Sequence, residues 1–109
     1  MINLFKTTLF DAIDEFCDKH GEIEDKIIQK WIRFIRREMN KAKKKEVNVP
    51  TLIAYAMWFY NLLAQMGVMA GLGPNKVNIV NIPEWMDEKL VKRCLMICSS
   101  VLTLQFLPR

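Results

Sequence analysis

At 109 residues the chain is long enough for one domain with a real core and too short for two ordinary ones. Apolar residues make up 51% and charged ones 26%, which excludes a disordered tail and leaves a globular or membrane-associated protein. The net charge of +4 conceals an asymmetry: Met1 to Asp25 sums to −5, Lys26 to Lys45 to +8 and Glu46 to Arg109 to +1.

Leu9, Ile13, Phe16 and Cys17 have helical spacing and predict a first helix from about Asn3 to Lys19, acidic on its other face and stopped by Gly21. A second helix is expected from near Glu22, where Glu22, Glu24 and Asp25 suit the positive end of a helix dipole, to Lys43, Lys44 and Lys45 at the negative end. At about 100° per residue, Lys26, Lys30, Arg33, Arg37, Lys41 and Lys44 fall within an arc of about 80° and form one ridge. Ile27, Ile28, Trp31, Ile32, Ile35, Met39 and Ala42 project to the opposite side.

Glu46 to Val49 reads as a connector, because Pro50 disfavours helical geometry in the residue before it and suits a first helical turn. The 29 residues from Val47 to Asn75 carry no charge, and Thr51 to Ala70 reads as a third helix interrupted by Gly71, Gly73 and Pro74. Its apolar residues, among them Leu52, Met57, Trp58, Phe59, Leu62 and Met69, point all round, so the helix is expected to be covered on every side. Lys76 to Ile82 alternates loosely, as an extended connector or short strand would. A last helix is expected from around Pro83 to about Gln105. Together these predict an all-α protein: a single domain over 1–109, a compact bundle of about four helices with the apolar third helix central and the fourth beside it.

The ridge offers a row of cations spread over about 27 Å, which fits a phosphate backbone and the release of its counterions. Lysine predominates, with Arg33 and Arg37 at the centre, and this favours point-charge contacts to phosphate over base reading. Phe34 borders the ridge, where it either stacks on a base or simply widens the core stripe. The rival reading is a solvated face partly neutralised by Glu38 and the acidic residues of the first helix.

Cys17 and His20 lie three apart and Cys94 and Cys98 four apart, so each pair can face one way and the four make a Cys3His set that tetrahedral zinc accepts. The same spacings are those of core positions, where free cysteine is commonly buried, and no metal is expected. The odd number of cysteines and the lack of a signal-peptide pattern predict a reducing, intracellular and cytoplasmic setting. Thr51 to Leu72 exceeds the roughly 20 residues needed to span a bilayer, but Tyr55, Trp58, Tyr60, Asn61 and Gln65 crowd its middle, away from the interfaces such groups prefer.

Gly67, Gly71 and Gly73 match no phosphate-loop pattern and read as helix ends. Asp14, Glu15, Asp18, Asp87 and Glu88 give no acid/base pair with the single histidine, and Ser99 and Ser100 have no neighbouring base, so no enzymatic activity, catalytic residue or cofactor is expected. The expectation is a small helical subunit that binds nucleic-acid backbone, DNA or RNA, without sequence specificity. A large apolar circumference on the third helix predicts a protein partner or self-association within a larger assembly. In outline the combination is similar to the small helical subunits that brace nucleic acid in ribonucleoprotein effector complexes, a likeness of architecture alone. Two rivals stand beside it: a helical protein–protein adaptor, and a small membrane protein with one span near residues 51–72.

Overall fold

Four amphipathic segments become four helices around one shared core. A computed structural model describes residues 2–70, 79–80 and 82–106. Helix α1 (Ile2–His20) buries Leu9, Phe10, Ile13, Phe16 and Cys17 on one stripe. Only glycine fits just past its end, because a Cβ at Gly21 would sit 2.3 Å from the Cys17 carbonyl oxygen. Helix α2 (Lys26–Ala42) buries Ile28, Ile32, Ile35, Met39 and Ala42. It starts later than Glu22, since Asp25 caps it by accepting hydrogen bonds from the Ile27 and Ile28 N–H groups.

Helix α3 (Val49–Gln65) is capped by Asn48, whose side chain accepts from the Thr51 N–H, and has Pro50 in its first turn. It stops five residues short of Ala70. Gly67 adopts φ +80°, the Val68 N–H bonds back to the Leu63 carbonyl and the Gly67 N–H to that of Ala64. Those two bonds form a Schellman end, sealed by the fully buried Val68 and Leu63. The expectation that α3 is covered on every side is also corrected. Thr51, Met57, Asn61 and Gln65 are exposed, because small or neutral side chains align along one stripe while Leu52, Tyr55, Ala56, Phe59, Leu62 and Leu63 are buried.

Two-residue strands β1 (Met69–Ala70) and β2 (Ile79–Val80) pair antiparallel, Met69 opposite Val80 and Ala70 opposite Ile79. The expected breaks at Gly71, Gly73 and Pro74, and most of the predicted extended stretch from Lys76, lie outside the described residues. Helix α4 (Glu88–Leu102) starts later than Pro83 because Asp87 is its cap, accepting from the Leu90 N–H. A 3-10 turn, Thr103–Phe106, completes the expected last helix.

The molecule is all-α apart from the short ladder, and α3 touches α1, α2, α4 and the 3-10 turn, the central place expected of it. Phe59 of α3 is fully buried with its ring centroid 5.2 Å from that of Phe16. Helices α1 and α4 run antiparallel: the Asp87 N–H donates to His20 Nε2, Arg93 pairs with Glu15, and Cys94 Sγ donates to the Ala12 carbonyl at 3.6 Å. Among the described residues no helix is long and apolar enough to cross a membrane.

Candidate nucleic-acid interface

All six cations of the ridge, Lys26, Lys30, Arg33, Arg37, Lys41 and Lys44, are exposed along α2 and the turn after it. The buried stripe of Ile28, Ile32, Ile35 and Met39 fixes the roll of α2 against the core and thereby turns the ridge outward. Two apolar residues expected on the buried side are not there. Ile27 is 70% and Trp31 38% exposed, because the buried stripe is narrower than the apolar arc and leaves its edge toward α3 uncovered.

The acidic face of α1 does not neutralise the ridge. Asp14 and Asp18, one turn apart on α1, pair with Arg36 and Lys43, which lie on the edge of α2 facing α1. Glu15 is taken by Arg93 of α4. Of the six ridge cations only Lys41 is paired, with Glu38 at 3.0 Å, while Lys26, Lys30, Arg33, Arg37 and Lys44 have no ion pair among the described residues. Opposite charges on α1 and α2 are thus sorted by edge, and five cations are left to solvent.

A shallow groove of about 670 Å³ runs beside the C-terminal half of the ridge, lined by Arg33, Arg36, Arg37, Asn40, Lys41, Lys44 and Lys45. Arg36, Asn40 and Lys45 were outside the predicted ridge. Arg36 and Asn40 stand one turn apart on α2, and Lys45 lies in the turn after it. Lys6 of α1 fixes that turn, its ammonium donating to the Lys43 and Lys45 carbonyls at 3.2 and 2.8 Å. The contact places a cation on the negative end of the α2 dipole, a link between positions 39 apart that no local pattern reveals.

The other groups with possible chemistry have structural partners. His20 is buried between Phe16 and Trp85, and its Nε2 accepts from the Asp87 N–H at 3.1 Å, so the neutral imidazole carries its proton on Nδ1. Burial, then the neighbouring Lys19, holds its pKa below the ordinary 6.5. The hydrogen bond from Lys19 at 2.6 Å, helped by the Leu90 N–H, holds the Asp87 carboxyl below the usual range. Cys17, Cys94 and Cys98 are buried free thiols. Burial pushes Cys17 up to about 11 and Cys94 up to about 12, and raises Cys98 further.

Among the described residues no three His, Cys, Asp or Glu side chains stand close enough to share a metal ion, and His20 Nε2 already accepts a backbone bond. Glu88 pairs with Lys92 at 3.0 Å; Ser99 meets the Tyr60 hydroxyl, and Ser100 donates to the Met96 carbonyl.

No protein-family model, no curated protein and no solved structure matches this chain.

Proposed function

We propose that the protein binds the phosphate backbone of nucleic acid through α2, without reading sequence and without catalysing a reaction. The observation that carries this reading is the sorting of charge: α1 carboxylates engage the cations on one edge of α2 and leave Lys26, Lys30, Arg33, Arg37 and Lys44 without an ion pair among the described residues. A solvated face needs no such separation, whereas a polyanion gains from every cation that has no internal partner. Counterions released from the polyanion drive such binding.

Binding should weaken steeply with salt. With about five phosphates neutralised, log affinity falls against log salt with a slope of roughly −4 to −5 on duplex DNA and about −3.5 on single strands. Replacing Arg33, Arg37 and Lys41 with glutamate should abolish binding and leave the far-ultraviolet circular dichroism nearly unchanged, since all three side chains are exposed. Failure of the unaltered protein to bind DNA or RNA at low salt, or binding that survives the triple reversal, would remove the reading.

A place in a larger assembly is the second reading, favoured by exposed apolar side chains outside α2. Met57 on α3, Met96 on α4 and Phe106 in the 3-10 turn are 52%, 67% and 66% exposed. Three buried free thiols suit a reducing, intracellular setting for that assembly.

A further inference from the structure

We infer that the preferred ligand is single-stranded nucleic acid, its phosphates on the α2 ridge and its bases stacked on an aromatic flank beside it. This inference rests on the nucleic-acid reading of the ridge and adds to it the class of strand. Around α2, Phe34 lies only about 20° from Lys41, and Trp31 continues the same flank.

The aromatic rings do not stop at α2. Trp31 packs edge-to-face on Phe34 with centroids 6.2 Å apart, Phe34 meets Trp58 of α3 at 5.4 Å, and Trp58 meets Tyr55 at 5.1 Å. Tyr55 is buried, with its hydroxyl donating to the Glu38 carbonyl and its ring edge-to-face with Phe10 in the core. The row is therefore anchored at its inner end and opens to solvent at Trp31, the more exposed end. Trp31 meets a single ring among the described residues, and that edge-to-face contact with Phe34 does not close both of its faces.

Charge and apolar surface complement a single strand in a way they do not complement a duplex. The bases of a duplex are stacked on one another and offer an aromatic side chain no free face, so the flank would gain nothing from it. A single strand presents phosphates and bases side by side, as the ridge and the flank do. Glu38, the carboxylate of α2, lies beside Lys41 at 3.0 Å and is offset by it.

The test compares three polyanions with the full chain: oligothymidylate or oligouridylate, a DNA duplex of equal length, and inorganic polyphosphate, which has no bases. At moderate salt the single strand should bind about tenfold tighter than the duplex and quench tryptophan emission, whereas polyphosphate should bind without quenching. Trp31→Ala should lower the ratio of single-strand to polyphosphate affinity about tenfold. Trp31→Phe should restore most of it, which separates lost stacking from lost folding. Equal affinity for strand and duplex, or a ratio unmoved by Trp31→Ala, overturns the stacking while the ridge reading survives if the triple glutamate variant still abolishes binding. Absence of binding to all three polyanions removes both.

Discussion

His20 shows how one side chain ties two distant segments and makes their union sensitive to acid. Its Nε2 must be unprotonated to accept the Asp87 N–H, and burial holds the imidazole below its ordinary 6.5. The unfolded chain therefore takes up the proton first. Stability that is complete above pH 6.5 is lost as the pH falls from there through the lower folded value. Asp87, also depressed, acts below the carboxylate range and does not overlap that window. We expect the urea midpoint to drop between pH 7.5 and 5.5, and most of that drop to vanish in His20→Gln, which keeps an acceptor but does not titrate. An equal drop in both proteins would assign the acid sensitivity elsewhere. The sequence displayed this residue beside Cys17 as a possible ligand, but which atom its nitrogen meets depends on a backbone N–H 67 positions away.

At the scale of elements, what the sequence disclosed and what it hid divide cleanly along local and non-local causes. The existence of four helices, the ridge and the stop at Gly21 follow from spacing, charge and glycine within a few residues. The start of α2 is hidden where several acids compete for the cap: Asp25 rather than Glu22 receives the first N–H groups, because its short side chain reaches forward to Ile27 and Ile28. Exposure of Ile27 and Trp31 could not be read, since apolar periodicity gives the direction of a face and not the width that a neighbour covers. Pairing was equally hidden. The sequence offers Asp14 and Asp18 as possible neutralisers of the basic helix, and only packing shows that they select Arg36 and Lys43. On the proposed interface, Asp14→Asn with Asp18→Asn should release these two cations. Arg36 lines the groove, so polyanion affinity at low salt should rise and the salt slope steepen by about one to two. Helix content should change little, because partly exposed pairs of this kind contribute about 0–1 kcal/mol each. An unchanged slope would mean that neither cation reaches the ligand.

Across the whole molecule, Cys17 on α1 and Cys94 on α4 report on the α1–α4 interface from both sides, and Cys98, one turn along α4, reports on the core beside Tyr60 of α3. All three are buried, and thiolate formation is suppressed well beyond neutral pH. In the folded protein a thiol reagent at pH 8 should react slowly with every one of them. Through a urea titration the three should become reactive together, at the midpoint given by circular dichroism. Fast reaction of Cys17 alone in folded protein would show that α1 opens independently of α4.

The antiparallel seating of α4 on α1 also bears on how the chain is made. His20 to Asp87, Glu15 to Arg93 and Ala12 to Cys94 join positions 67 to 82 apart. During synthesis the ribosome delivers α1 first and its seat last. Until α4 has left the exit tunnel, α1 lacks the contacts that α4 supplies, those at Ala12, Glu15 and His20 among them, and closing so long a loop carries an entropic cost that only those late contacts offset. An incomplete chain that reaches the end of α3 thus displays a sticky first helix and a basic second one, the combination that invites chaperones or premature capture by polyanions before the bundle is closed.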